Sequence, residues 1–180
     1  MDDKTLLKAA QKGDANALIA LYEKYKERVF AFAYYRLGRD VGLAEEVSAE
    51  TFTRLASNLQ TIKLHNNKPL LPWLYTVARN LITDQQRLNA RFVNHEPSPR
   101  LPAQEPLPEA ITTLAFDVER VLNVLEKLSD DQRDVLVLRF LQGYDVRETA
   151  EIMGKREGNI KTLTRRALRD VRRLLGESDA

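Results

Sequence analysis

Residues 145–173 read DVRETAEIMGKREGNIKTLTRRALRDVRR, and this stretch carries the clearest structural pattern in the chain. Ala150 is small enough to let two helices cross closely around a short turn. Gly154 can take the positive φ angle that ends the first of these helices. Ile160 follows at a spacing that places an apolar side chain in the crossing. The pattern predicts a helix-turn-helix.

The second helix of this motif has two opposite faces. At about 100° per residue, four apolar side chains fall within about 60° of Ile160. They are Leu163, Ala167, Val171 and Leu174. The other side carries Lys161, Thr162, Arg165, Arg166, Arg169, Arg172 and Arg173. A recognition helix in a major groove needs this division, so the sequence favours duplex DNA as the ligand. The alternative is a basic helix that faces solvent or an acidic protein.

Positive charge is concentrated in the same stretch. The whole chain carries a formal net charge of +2, yet eight basic residues and only two acids lie between Lys155 and Arg173. A basic cluster in a nearly neutral protein indicates a polyanionic partner. Arg133 and Arg139, in the preceding segment, are expected to be ordinary surface charges.

A proline-rich stretch divides the chain into two parts. Five of the seven prolines lie between Pro97 and Pro108. Proline lacks a backbone donor and disfavours a helix before itself, so we expect an extended linker here. The predicted organisation is a first domain over 1–92, a linker over 93–117 and a second domain over 118–180. Both domains are long enough for a small helical fold.

Apolar residues recur at spacings of three and four in both predicted domains, which is the period of a helix. The first domain has three such runs, which start at Leu18, Leu43 and Leu70. The second has a run over 118–128, and Ser129 before two acids is typical of a helix N-cap. The next helix is expected to supply core residues, namely Val135, Leu136, Leu138 and Phe140. The predicted fold class is therefore all-α.

The sequence lacks the signatures of several other functional classes. It has no cysteine, so disulfides, thiolate metal sites and cysteine nucleophiles are absent. Its two histidines, His65 and His95, lie in predicted loops, and no HExxH, GxSxG, Walker or GxGxxG motif occurs. No apolar run is long enough to span a membrane or to form a secretory signal. We expect a cytoplasmic protein that is not an enzyme and uses no cofactor or metal.

The C-terminal part resembles region 4 of sigma factors. The resemblance runs from LSDDQRDVLVLRFLQGYDVRETAEIMG, residues 128–154, through the second helix of the helix-turn-helix. It implies binding to the −35 element of a promoter and to the β flap of RNA polymerase. The residues implied in −35 binding are Lys161, Thr162, Arg165, Arg166 and Arg169. Leu163 stands where the family usually has an arginine, so this chain has one DNA-facing cation fewer.

The N-terminal part resembles sigma region 2. LAEEVSAETFTRL, residues 43–55, is similar to region 2.2, an acidic helix that docks on the β′ clamp helices of polymerase. The residues implied in that contact are Glu46, Glu50, Thr51 and Arg54. PWLYTVARNLITDQQR, residues 72–87, is similar to regions 2.3 and 2.4, which melt the promoter and hold the −10 strand.

A polar loop over 60–71, QTIKLHNNKPLL, stands where the family pockets a flipped −10 base. A flipped base needs donors and acceptors for its Watson–Crick edge, and this loop supplies them. The residues implied in −10 binding, from the loop and the following helix, are Lys63, His65, Asn66, Asn67, Lys68, Arg79, Asn80, Thr83 and Arg87. Trp73 is expected to pack mainly against the core.

The order of these elements identifies the chain as a member of the sigma-70 family, in its extracytoplasmic-function (ECF) group. The resemblance implies a promoter-specificity factor that binds core RNA polymerase and promoter DNA and is controlled by an anti-sigma factor. No direct membrane insertion and no obligate homo-oligomer are expected. The alternatives are a helix-turn-helix regulator that does not bind polymerase, an enzyme with a site assembled from distant residues, and a helical adaptor that binds only proteins. Whether the two domains are splayed or clamped together is left open.

Overall fold

The computed structural model describes residues 2–64, 68–92 and 123–176, and within these ranges the chain is helical with no strand. This confirms the predicted all-α class. The helices are α1 (Asp3–Gln11), α2 (Ala15–Arg36), α3 (Val41–Ser57), α4 (Leu71–Phe92), α5 (Asp130–Leu136), α6 (Val146–Met153) and α7 (Glu157–Leu175). A π-helical turn, Val137–Leu141, continues α5. The predicted linker over 93–117 lies outside the described residues.

The first four helices pack around one apolar core. α2, α3 and α4 confirm the three predicted apolar runs, because Leu21, Leu55 and Leu74 each have no exposed surface. α1 was not predicted from the sequence, although Asp2 caps it by accepting a hydrogen bond from the Thr5 backbone N–H at 2.9 Å. Its apolar face buries Leu6, Leu7 and Ala10.

A buried carboxylate holds α1 in place. Asp3 is 4% exposed and accepts hydrogen bonds from Lys24 Nζ at 2.5 Å, from the Tyr25 hydroxyl and from the Leu70 backbone N–H at 2.6 Å. Burial opposes the charged form, but these three donors together outweigh it and lower the pKa of Asp3. One side chain thereby joins α1 to α2 and to the residue that precedes α4.

α5 begins with the predicted N-cap. Ser129 and Gln132 form a reciprocal capping box at its first turn. After Leu136 the turns widen, and the Gln142 backbone N–H donates to the Val137 carbonyl at 2.9 Å. The wider turn changes the direction of the side chains that follow. The prediction that Phe140 lies in the core is therefore wrong, since it is 55% exposed.

Arg133 is a second departure from the sequence prediction. It was expected at the surface, but it is buried. Its guanidinium donates to the backbone carbonyls of Glu126 at 2.9 Å and Leu128 at 3.2 Å, so it organises the chain that enters α5. Burial first, and the nearby Arg36 second, lower the pKa of Arg133.

The helix-turn-helix has the geometry that its sequence predicts. Gly154 ends α6 with a φ of 63°, in the left-handed region where glycine carries no steric penalty. Ala150 and Ile160 are both buried at the crossing of α6 and α7. Asp145 and Glu148 form a capping box at the start of α6. Local capping and one glycine thus fix the angle at which α7 leaves the turn.

The two helical regions pack directly against each other. Val137, Leu138 and Ile152 belong to the same apolar cluster as Phe32 and Tyr75 of the first region. The described residues therefore show the clamped alternative, in which α5, its π-helical turn and α6 cover part of α2 and α4.

Candidate nucleic-acid and polymerase interface

The predicted −35 face lies along α7. Lys161, Arg165, Arg166 and Arg169 are exposed on this helix, and Thr162 is half-buried beside them. The helix has 19 residues and is therefore about 28 Å long at 1.5 Å per residue. A helix of this length can lie in a major groove with its cations directed at phosphates and base edges.

The opposite face of α7 is fixed to the rest of its region. Ile160 and Ala167 have no exposed surface. Thr164, also buried, donates its hydroxyl hydrogen bond to the Ile160 carbonyl at 2.8 Å. Gln132 of α5 donates to Asp170 Oδ2 at 2.7 Å. These contacts hold the cationic face in a single orientation toward solvent.

The predicted −10 residues begin in the loop before α4. Lys63 and Lys68 are exposed and line a groove of about 440 Å³. Trp73 is half-buried, packs against the core and also lines this groove, so it offers an aromatic surface there. His65, Asn66 and Asn67 lie outside the described residues.

Further −10 residues lie on α4. Asn80 and Arg87 are exposed, and Arg87 Nη1 lies 3.9 Å from Asp84 Oδ1. Thr83 is half-buried, and its hydroxyl donates to the Arg79 carbonyl at 2.9 Å. This helix therefore presents the Asn80 amide and the Arg87 guanidinium to solvent, and both can pair with base edges.

Arg79 is the exception among the predicted −10 residues on α4. Its Nε donates to Asp134 Oδ2 at 2.6 Å and its Nη2 donates to Asp131 Oδ1 at 2.6 Å. Burial disfavours the charge of Arg79, but the carboxylates, Asp134 above all, outweigh that cost and raise its pKa. The guanidinium is thus shared between two acids of α5, and the Arg79 side chain is only 34% exposed.

Asp134 is the centre of a polar network between the two regions. It has no exposed surface and accepts hydrogen bonds from Arg36 Nε at 2.5 Å and from the Tyr75 hydroxyl at 2.6 Å, in addition to that from Arg79. Burial and the Asp134 charge raise the pKa of Tyr75, so its hydroxyl stays a donor. A fully buried carboxylate is tolerated here because three donors satisfy it.

Two neighbouring acids extend the network. Asp130 Oδ1 lies 3.1 Å from Arg36 Nη2, and Asp131 Oδ2 lies 2.9 Å from Lys155 Nζ in the turn before α7. Sequence reasoning missed this cluster, because acids in the first turn of α5 have a sufficient local explanation in the helix dipole. Tertiary packing gives them a second role.

The predicted polymerase face lies on α3. Glu46 and Arg54 are exposed, Glu50 is half-buried, and Arg54 Nε donates to Glu50 Oε1 at 2.9 Å. The prediction that Thr51 belongs to this polar face is wrong. Thr51 has no exposed surface and donates its hydroxyl hydrogen bond to the Val47 carbonyl at 2.7 Å. It lies four residues after Val47 and therefore falls on the buried stripe.

An apolar groove lies beside this acidic face. It has a volume of about 410 Å³, and α2 contributes Tyr22 and Phe30 to it while α3 contributes Glu45, Ser48 and Ala49. Tyr22 is 43% exposed and makes an edge contact with Phe52, with ring centroids 4.9 Å apart. Lys26 and Glu27 also line the groove, and aromatic surface rimmed by charged side chains is suited to a protein partner.

Two negative findings apply to the described residues alone. Within 2–64, 68–92 and 123–176, no group of three or more histidine, aspartate or glutamate side chains is placed to hold a metal ion. No helix in the same ranges combines the length and apolarity needed to cross a bilayer.

Family comparisons match the two regions separately. Residues 21–92 match the family model of sigma-70 region 2, and residues 118–171 match that of sigma-70 region 4. The ECF RNA polymerase sigma factor SigL of Mycobacterium tuberculosis is 31% identical over 172 residues, which are 93% of this chain and 94% of SigL. The chain therefore belongs to the sigma-70 family of sigma factors, in the ECF group.

One further relative agrees with this assignment, and one solved structure shares the fold. The ECF sigma factor BldN of Streptomyces coelicolor is 36% identical over 172 residues, which are 94% of this chain and 64% of BldN. Among solved structures, CnrH, in complex with the cytosolic domain of CnrY, superposes with a TM-score of 0.68 at 21% identity. That alignment covers 98% of this chain and 99% of CnrH, and it shows a shared fold.

Proposed function

We propose that this protein binds core RNA polymerase and directs transcription initiation by recognising duplex −35 DNA and the melted −10 strand. The observation that carries the proposal is the pairing of two faces in one chain: the exposed cationic face of a recognition helix and an acidic helix beside an apolar groove. A DNA-binding regulator needs only the first face. A factor that brings polymerase to DNA needs both.

The −35 contact is assigned to α7. Lys161, Arg165, Arg166 and Arg169 would contact phosphates and base edges, with Thr162 beside them. The −10 contact is assigned to Lys63, His65, Asn66, Asn67 and Lys68 in the loop and to Arg79, Asn80, Thr83 and Arg87 on α4. Division of the chain into domains over 1–92 and 118–180, joined by a linker over 93–117, belongs to this proposal. Because both DNA-binding surfaces lie on one chain, binding at one element raises the effective concentration of the other surface near its own element.

The polymerase contact is assigned to Glu46, Glu50 and Arg54, with Thr51 removed from the predicted set because it is buried. The apolar groove that includes Tyr22 and Phe30 extends this surface. A helical partner with an apolar stripe and basic flanks, as expected for the β′ clamp helices, fits both features. The β flap would contact the C-terminal region.

Control by an anti-sigma factor is part of the proposal. The family resemblance supports it, and the structurally similar CnrH was solved bound to the cytosolic domain of CnrY. We further propose that the protein acts in the cytoplasm and works by binding, not as an enzyme. The cationic face of α7 supports a nucleic-acid role over that of an adaptor that binds only proteins.

Core-polymerase binding tests the proposal most simply. Glu46→Lys combined with Glu50→Lys should weaken binding to immobilised core polymerase by roughly tenfold or more, because the reversed charges would repel a basic partner. Glu151→Lys combined with Glu157→Lys is the matched control, since it makes the same charge change on α6 and α7. If wild-type protein binds duplex DNA but not core polymerase, the alternative of a stand-alone helix-turn-helix regulator replaces this proposal.

A further inference from the structure

The loop before α4 is held at both of its ends by the first helix, α1. At the first end, Gln11 donates from its side-chain nitrogen to the carbonyl of Leu59 at 2.8 Å and to that of Ile62 at 2.9 Å. In return, the Gln60 side chain donates to the Gln11 carbonyl at 2.8 Å. Leu59 and Ile62 lie outside any helix, so their carbonyls need partners from elsewhere. A single side chain that satisfies both fixes the path of the chain between them.

The second end of the loop is held by the opposite end of α1. Asp3 accepts a hydrogen bond from the Leu70 backbone N–H at 2.6 Å. The Leu70 carbonyl in turn accepts from the Trp73 backbone N–H at 3.0 Å, in the first turn of α4. Asp3 therefore fixes the point at which α4 begins, and with it the backbone position of Trp73.

α1 is a spacer of constant length between these two contacts. It has nine residues, so its first and last residues are about 12 Å apart along the axis at 1.5 Å per residue. Leu6, Leu7 and Ala10 are buried in the core of the first region and keep the helix from shifting. The two ends of the loop are thereby held at a set separation.

The groove assigned to the −10 strand lies between the two segments that α1 holds. Residues from 61–64 and from 68–73 line it, and its volume is about 440 Å³. Gln11 holds the first segment through Ile62, and Asp3 holds the second through Leu70. A site that reads a base through hydrogen bonds must keep its groups within about 0.5 Å of the productive geometry. The separation of the two segments therefore affects which bases the groove accepts.

From these contacts we propose that α1 is a brace for the −10 groove, and that Gln11 and Asp3 are positioning residues that set its selectivity among unstacked bases by acting through the loop. This proposal rests on the proposed function, because it explains how the assigned −10 loop is held. Gln11 gives the sharper test of the two. Asp3 also bonds Lys24 and Tyr25, so its replacement disturbs α2 as well.

Trp73 fluorescence measures the brace in the free, full-length protein. The chain has one tryptophan, and it lies in this groove. Gln11→Met removes the side-chain donors and keeps the length of the side chain. We expect emission at longer wavelength and stronger quenching by acrylamide than in the wild type, because the segment over 61–64 loses its anchor. Thr5→Ala is the control on the same helix, since the Thr5 hydroxyl bonds Asp2 at 3.0 Å within the helix cap, and it should leave the emission unchanged.

Base selectivity separates a positioning role from a merely structural one. Each variant is combined with core polymerase and used in run-off transcription on a promoter that responds to the wild type, with the bases of its −10 element randomised. Sequencing of the transcripts gives the preference for each base. With Gln11→Met, the preference at one or more −10 positions should fall by about threefold or more, a partial loss of what a well-placed base contact contributes. Preference in a randomised −35 element should not change.

Gln60→Ala tests the same contact from the loop. Its side chain is exposed, so its removal leaves the core intact, and we expect a smaller change in the same direction as for Gln11→Met. Asn58→Ala is the matched control. It removes an exposed amide from the same segment that donates to the Arg54 carbonyl of its own helix at 2.9 Å and so does not reach α1.

Three results would overturn the positioning role. The first is a −10 preference of Gln11→Met equal to that of the wild type, even if Trp73 emission changes, because the contact would then be structural only. The second is an equal loss with Thr5→Ala, which would indicate general weakening of α1. The third is an equal loss of −35 preference, which would indicate a defect of the whole protein.

The positioning role and the proposed function fail in different ways. If wild-type protein yields promoter-specific transcripts and Gln11→Met keeps the same −10 preference, the positioning role alone is overturned. If wild-type protein yields no transcript with core polymerase, the sigma-factor role is overturned and the selectivity role falls with it. Trp73 emission then still decides whether α1 holds the groove.

Discussion

The two predicted DNA-binding faces differ in what they contact when the two helical regions pack against each other. On α7 the four predicted −35 cations are all exposed, whereas on α4 Arg79 is held by two carboxylates from the other region. Both faces were predicted from the same kind of pattern, a polar face opposite an apolar stripe. A polar, cationic helix face therefore predicts that the ligand is an anion. It does not predict whether that anion is DNA or a carboxylate of the same chain.

Replacing Asp134, the buried carboxylate at the contact between the two regions, should have the largest effect. Asp134→Ala leaves Arg36 buried without its main partner, because both side chains have no exposed surface. We expect a loss of about 3–5 kcal/mol in the free energy of unfolding, measured by urea denaturation. Asp131→Ala is the control and should cost well under half as much, since Asp131 is part-exposed. Equal losses would mean that Asp134 is not the centre of the network.

Replacing Asp3 shows what a buried acid contributes when all its partners lie within the first region. Asp3→Asn weakens the hydrogen bonds from Lys24, Tyr25 and Leu70, and should cost about 2 kcal/mol at neutral pH. The pKa of Asp3 is lowered in the folded state, so its contribution is complete above the ordinary value of 3.8 and is lost as the pH falls through the folded-state value.

The check is a series of urea denaturation curves from neutral pH down to acidic pH. The stability difference between wild type and Asp3→Asn should shrink as the pH falls. Asp84→Asn, at a carboxylate whose side chain is 65% exposed, should give a small difference throughout. A difference for Asp3→Asn that does not change with pH would contradict a lowered pKa for Asp3 in the folded protein.

On the exposed face, Arg165→Ala and Arg166→Ala should each weaken binding to −35 duplex DNA by about 1–3 kcal/mol if they read bases. Titrations at several salt concentrations separate base contacts from phosphate contacts, since each lost phosphate contact lowers the salt slope by about one. Unchanged binding by both variants would remove these residues from the −35 face.

Asn80→Ala should have the smallest effect, confined to the open part of the −10 face. The exposed amide can pair with base edges, so its loss should reduce open-complex formation by about 1 kcal/mol and leave −35 duplex binding intact. Permanganate footprinting of the melted strand and duplex gel shifts measure the two quantities. Equal loss of both would indicate a folding defect instead.

The long periodic elements were predictable from sequence, and so was the helix-turn-helix. The roles of Gly154 as a helix end and of Ile160 as a buried contact follow from their positions in the motif, and the structure shows both. The wrong predictions for Phe140 and Thr51 have different causes. Phe140 is exposed because a π-helical turn breaks the helical register, and Thr51 is buried because position on a stripe outweighs polarity when the hydroxyl can bond its own helix.

The contact between the regions was beyond sequence reasoning for a different reason. Arg36 and Asp134 are 98 positions apart, and nothing in the local sequence around either residue indicates the other as its partner. Buried ion pairs of this kind are specified by packing, not by periodicity. Asp130 and Asp131 were the only hint of this contact in the sequence. Their position in the first turn of a helix was already explained by the helix dipole.

Run-off transcription tests most directly whether this protein is a promoter-specificity factor. Purified core polymerase is incubated with a library of promoter fragments, with and without this protein, and the transcripts are sequenced. We expect specific transcripts that require the protein and start downstream of shared −35 and −10 sequences. Protein that binds duplex DNA through α7, yet yields no transcript and no complex with core polymerase, would contradict that role.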